Sequence, residues 1–124
     1  NNVICVPHLG ASTPEAEDNC AAMAARELVD YIENGNVTHS VNFPDVQAPR
    51  ASAARLCIMH ENAEGVINAI TSVISGEGIN IANLLDKSKK DKAYMLIDLD
   101  TVPSEIAVKA ISALKGIIRV RLLA

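Results

Sequence analysis

Between residues 51 and 123 the hydrophobic pattern changes period repeatedly, and glycine, proline or a charged turn brackets each change. Ala51 to Glu61 reads as a strand around the apolar run Leu56-Cys57-Ile58-Met59. Glu64 to Ser75 then places Val66, Ile67, Ile70, Val73 and Ile74 at helical spacing, and Gly76-Glu77-Gly78 stops that helix. Ile79, Ile81 and Leu84-Leu85 begin a second strand that gives way to the charged turn Lys87-Ser88-Lys89-Lys90-Asp91-Lys92. Ala93 to Asp100 is the return strand, with Ala93, Met95, Ile97 and Leu99 alternating with Tyr94, Leu96, Asp98 and Asp100. Pro103 and Ser104 open a second helix holding Ile106, Ala110, Ile111 and Leu114. Gly116 ends it, and Ile117 to Leu123 forms a last strand.

That order, βαββαβ, predicts an α+β fold: a ferredoxin-like sandwich of about 70 residues with two helices over one face of an antiparallel sheet. The other sheet face and an outer strand need cover, so a homodimer is expected.

Composition narrows the partners. The chain has 124 residues, 49% of them hydrophobic, so a packed core is available; with aromatics at 2% (Tyr31, Phe43, Tyr94) that core is aliphatic. A net charge of −4 with scattered basic residues argues against nucleic acid, which requires a positive surface. No apolar run approaches the roughly 20 residues that span a bilayer, and no signal-peptide pattern is present, so no membrane partner is expected. Cys5, Cys20 and Cys57 are widely spaced and odd in number, which suits reduced thiols in a cytoplasmic protein better than a disulfide or a metal site.

Residues 1–49 read as a separate arm, ahead of the domain at 50–124. Asn1 to Val6 has the pattern of a short buried strand already under way, and together with the missing initiator Met it indicates a piece of a longer protein. A helix follows from about Pro14 to Glu33. Ser12 or Thr13 can cap it, Ser12 with Glu15 fits a capping box, Pro14 suits the first turn, and Asn34-Gly35 supplies the stop. Its alanine-rich apolar face, with Cys20, Met23, Ala24, Leu28, Tyr31 and Ile32, suits packing against another helix, in a symmetry mate or by exchange between chains. Asn34 to Pro49 is a linker, extended through Val41-Asn42-Phe43-Pro44 because a residue before proline avoids the helical region. His39 reads as solvent-exposed.

The candidate site is the loop Met59-His60-Glu61-Asn62-Ala63-Glu64-Gly65-Val66. A strand passing directly to a helix leaves free N–H groups at the helix start, and with His60 and Asn62 beside them these can hold a small carboxylate.

Two stretches carry a resemblance. Pro7-His8-x-Gly10-Ala11-Ser12-Thr13, followed by the helix, Asn34-Gly35-Asn36 and Val41-Asn42-Phe43-Pro44, resembles the phosphoglycerate dehydrogenases of the NAD-dependent D-2-hydroxyacid dehydrogenase family. The resemblance implies that His8 is the acid/base of the parent enzyme, exchanging a proton with the substrate hydroxyl while hydride passes to NAD. The chain has no G-x-G-x-x-G fingerprint, so alone it is expected to bind no NAD and to be inactive.

The second stretch resembles an ACT domain, an amino-acid-sensing module of biosynthetic enzymes. Its carriers are His60-x-Asn62-x-x-Gly65-Val66, then Glu77-Gly78-Ile79-Asn80-Ile81-Ala82, then Ile118-Arg119-Val120-Arg121-Leu122-Leu123. This likeness implies feedback control of L-serine biosynthesis through L-serine, or a similar small amino acid, held between two subunits. His60 and Asn62 of one chain and Asn80 of its neighbour would contact it, near the backbone of Ile81. Glu64 stands where ACT domains commonly have proline, and sets a negative charge near the ligand's carboxylate. An ACT domain kept only for oligomerisation is the alternative. RNA binding is disfavoured because Tyr94 is the one aromatic residue on the two central strands, and metal transport because closely spaced cysteines are missing.

Overall fold

A computed structural model describes residues 2–10 and 12–124. Asn1, the start of the expected opening strand, and Ala11, a member of the Pro7–Thr13 motif, lie outside the described residues. The elements are α1 (Pro14–Asn34), β1 (Ala54–Glu61), α2 (Val66–Gly76), β2 (Ile81–Lys89), β3 (Lys92–Leu99), α3 (Glu105–Ser112) and β4 (Ile117–Leu123). From β1 onward this is the expected βαββαβ order. The strands form one antiparallel sheet in the order β2-β3-β1-β4, with β2 and β4 at its edges.

Strand parity sorts the core into two layers. Ala54, Leu56 and Ile58 of β1, with Met95, Ile97 and Leu99 of β3, face Val66, Ile70 and Ile74 of α2 and Ile111 of α3. On the reverse face Cys57, Tyr94 and Leu96 meet Val37, Val46 and Ala48 of the linker, with Tyr31 and Phe43 packed beside them. The sheet face expected to need a second subunit is therefore covered in part by the chain's own linker. This explains why the alternate positions of β3, Tyr94, Leu96 and Asp98, are buried too: Lys92 apart, every β3 residue is buried.

The linker reaches that face because α1 stops sharply. Gly35 takes a left-handed φ of 76° and donates its N–H to the Tyr31 carbonyl, ending the helix. It lies flat on the sheet, where a Cβ would overlap the sulfur of Cys57. The linker then doubles back through bends at residues 41–43 instead of staying extended, closed by reciprocal Val37–Val46 backbone hydrogen bonds of 2.9 and 3.0 Å. Burial of both valines outweighs the local preference of a residue before proline.

Several expectations need correction. The short strand at the start does not form among the described residues: Val3, Ile4 and Val6 are 79%, 90% and 75% exposed, and a single extended segment without a neighbouring strand has no ladder to join. Of the two candidate caps Thr13 is used, its Oγ1 accepting from Ala16 N at 3.2 Å; Ser12 instead donates to the Leu9 carbonyl, so the Ser12–Glu15 box is not made. The charged turn shrinks to Lys90-Asp91, because Lys87, Ser88 and Lys89 pair with Tyr94, Ala93 and Lys92. His39 is exposed yet partnered, its Nδ1 2.6 Å from Glu27 Oε1.

Candidate functional site

The site is built where β1 hands the chain to α2. Gly65 takes φ 79° as the helix cap, and α2 begins behind it at Val66 rather than at Glu64. The helix start opens into a cleft of about 410 Å³ whose lining includes Glu61, Glu64, Gly65, Val66 and Lys115. Two carboxylates to one ammonium make it a poor anion site, whatever the helix dipole contributes.

His60 is the penultimate residue of β1. It shares the helix-facing side with Leu56 and Ile58, and a register shift against β4 falls between Met59 and His60. The residue is 2% exposed, with Nε2 2.8 Å from Asp86 Oδ1 and Nδ1 2.8 Å from the Glu61 carbonyl. A carbonyl and a carboxylate can only accept hydrogen bonds, so satisfying both requires a proton on each nitrogen: the ring is an imidazolium paired with Asp86. Burial opposes that charge, but the hydrogen bonds to Asp86 and Glu61 and the charge of Asp86 outweigh it and raise the His60 pKa above its ordinary value.

The other expected residues are spread out. Asn62 is exposed and stitches the loop to the β2–β3 turn, its Nδ2 donating to the Lys90 carbonyl at 3.1 Å and its N–H to that of Asp91 at 2.9 Å. Asn80 is exposed and donates to Asp100 Oδ2 at 2.6 Å. Ile81, half-buried, opens β2 opposite Leu99. The register separates them: His60 pairs with Ala93 and Ala93 with Ser88, whereas Asn80 precedes the Ile81–Leu99 pair at the far end of the sheet. His60 and Asn62 thus come together, and Asn80 and Ile81 of the same chain do not join them. His8 is exposed, in the irregular segment before α1.

Asp86 was not anticipated. Its signal was a lone acidic residue directly after Leu84-Leu85, in a segment expected to decay into a solvated turn. Among the described residues no cluster of His, Cys, Asp and Glu is placed to hold a metal, and no helix is long and apolar enough to cross a membrane. A second cleft, of about 460 Å³ between α1 and the linker, meets the loop only at Met59, whose neighbour His60 does not line it.

Residues 56–119 match the family model described as the AHAS small subunit-like ACT domain. The chain belongs to the ACT domain family. The ACT fold is found again in the crystal structure of the ACT domain from GTP pyrophosphokinase of Chlorobium tepidum, with a TM-score of 0.50 and 22% identity, over 56% of this chain and 95% of that one. Among curated proteins this ACT chain is similar to the D-3-phosphoglycerate dehydrogenase of Escherichia coli (strain K12), at 38% identity over 125 residues, 99% of this chain and 30% of that protein. The enzyme of the same name from Haemophilus influenzae is 33% identical over 124 residues, again 99% and 30%. The chain therefore spans about 30% of the length of these relatives. The two resemblances read from the sequence, to an ACT domain and to phosphoglycerate dehydrogenases, are both found.

Proposed function

We propose that this ACT domain binds L-serine, or a similarly small amino acid, between two copies joined along β2, as the regulatory part of an NAD-dependent phosphoglycerate dehydrogenase. The observation that carries the reading is the separation of His60 from Asn80 within one chain, combined with the edge position of β2. Antiparallel pairing of two β2 edges about a two-fold axis near Leu84 and Leu85 brings Asn80 of the second copy alongside Ser88 to Lys90 of the first. That is the end of the sheet where His60 and Asn62 sit. Amide side chains from two chains, beside the His60–Asp86 pair, then surround a zwitterion, and amides supply both donors and acceptors to its polar atoms. Sharing the ligand ties its occupancy to the relative position of the subunits, which is how binding acquires a regulatory consequence.

The residues present do not fit NAD. No G-x-G-x-x-G occurs in the sequence, and an antiparallel sheet lacks the parallel strand–helix turn that cradles a pyrophosphate. We assign NAD binding and hydride transfer to the longer enzyme. There His8 would act as acid/base, an assignment supported by the resemblance and by an imidazole's ability to exchange protons near neutral pH.

Isothermal titration with L-serine, with D-serine as control, tests the sensing reading. A complementation experiment tests the shared site: His60→Ala and Asn80→Ala proteins should each fail to bind, while their mixture regains binding at one of the two sites of the mixed dimer. The second reading, an ACT domain used for assembly alone, is favoured by one observation: Asp86 already occupies His60 Nε2. No heat at millimolar serine from a protein that light scattering shows to be dimeric selects it.

A further inference from the structure

We propose that Asp86 is a specificity-determining residue of the His60 site, an internal carboxylate that occupies the position a ligand carboxylate would take and so disfavours carboxylate binding there. The inference rests on reading the His60 loop as a ligand site. It turns on a pair that spans three strands: His60 stands on β1, Asp86 on β2, and β3 runs between them. Their β3 opposites are Ala93 and Met95, all on the helix-facing side, and the short Ala93 side chain leaves the two room to meet. The side chains are 3% and 15% exposed, so the contact is built into the fold rather than lying loose on its surface.

The imidazole has no nitrogen to spare. Nδ1–H is committed to the Glu61 carbonyl and Nε2–H to Asp86. A ligand carboxylate arriving at Nε2 must displace Asp86, exchanging one anion for another with no net gain in charge pairing. Other nearby charges do not reverse this. Lys92 on β3 is paired in register with Glu61, Glu64 lies in the loop before α2, Lys115 lies in the turn before β4, and α2 has no ionisable side chain. The site as built favours ligand groups that donate hydrogen bonds, ammonium and hydroxyl, over groups that accept them.

Removing the carboxylate has a specific consequence. In Asp86→Asn the ring loses the anionic partner that raises its pKa, while burial still favours the neutral form; since the Glu61 carbonyl still needs Nδ1–H, the neutral ring carries its lone pair on Nε2. A carboxylate can then bind only with proton uptake at Nε2, so affinity must rise as pH falls. The test follows the His60 Cε1–H resonance of the full chain and of D86N, with acetate as a simple carboxylate probe and L-serine as the candidate ligand, at about pH 6 and about pH 8. The expected result is a lower His60 titration midpoint in D86N, an acetate-induced shift in D86N at the lower pH but not in the unaltered chain, and L-serine binding about tenfold tighter in D86N at the lower pH. An unchanged midpoint, or an acetate response equal in the two proteins or missing from both, overturns the proposal. Serine that binds the unaltered chain and D86N equally overturns it while leaving the sensing reading intact. No serine binding by either protein, with the acetate difference present, removes the sensing reading and leaves the role of Asp86 standing. Asp86→Ser repeats the measurements with a smaller neutral side chain in case D86N is misfolded by circular dichroism.

Discussion

Arg55 and Asp98 face each other across β1 and β3 and are joined by two parallel hydrogen bonds, Nε to Oδ1 at 2.6 Å and Nη2 to Oδ2 at 2.9 Å. The remaining guanidinium N–H groups donate to the carbonyls of Asn34 at 3.0 Å, Ala48 at 2.8 Å and Pro49 at 2.9 Å. One fully buried side chain therefore satisfies all five of its donors while tying together the end of α1, the linker and both central strands.

Breaking that pair from one side should be costly. Arg55→Met leaves the Asp98 carboxylate buried without a counter-charge and three carbonyls without a donor, for an expected loss of about 3–5 kcal/mol. Arg55→Met combined with Asp98→Leu removes the stranded charge and should recover part of the loss. Urea denaturation measures both; a single variant within about 1 kcal/mol of the unaltered protein would contradict the role given to the pair.

Gly35→Ala should destabilise for two separable reasons, a positive φ and a Cβ driven into the Cys57 sulfur. The expected cost is about 1–3 kcal/mol. Adding Cys57→Ala relieves the overlap but not the backbone strain, so the double variant should fall between the single variant and the parent in thermal melts. Equal melting of Gly35→Ala and the parent would show that α1 does not end on the sheet in this way.

Stability should fall as pH rises through the neutral range. The His60 pKa is raised although burial opposes its charge, and that of exposed His39 is raised by its hydrogen bond to Glu27; both ordinary values are 6.5. The folded state thus binds more protons than the unfolded chain above that value. The contribution is complete below it and is lost as pH climbs through the folded values. The urea midpoint should be higher at about pH 6 than at about pH 8.5. His39→Asn, which keeps a residue tolerant of the φ of 55° found there, should retain the His60 share of the slope. A midpoint that rises with pH would refute the protonated pair.

Thr13→Ala removes the side-chain cap of α1 and should weaken that helix by about 1 kcal/mol. α1 has no buried residue. The loss should therefore appear as reduced helical ellipticity, with the methyl resonances of Ile58 and Ile97 unshifted. Shifts at those methyls would mean that the far end of α1 is coupled to the sheet.

What could be read in advance followed from periodicity. The four strands and two crossover helices appear because Ile70 and Ile74, or Met95, Ile97 and Leu99, repeat at the spacing of their own element. His60 and Asn62 were legible for a similar reason, as polar residues at a strand–helix junction. The reverse face of the sheet was not. Its cover depends on Val37, Val46 and Ala48, isolated apolar residues in a polar linker, and no local period marks them as core. Arg55 and Asp98 looked like ordinary charges until strand register set them opposite each other. Asp86 was hidden similarly, since its partner lies two strands away.

The linker's packing also decides how this module could be transplanted. Cut at residue 50, the sheet would keep Tyr94, Leu96 and Cys57 but lose their cover, and Arg55 would lose all three carbonyls it holds. A fusion designer should keep the chain from Asn34 onward, so that the donor segment carries its own lid into any new host.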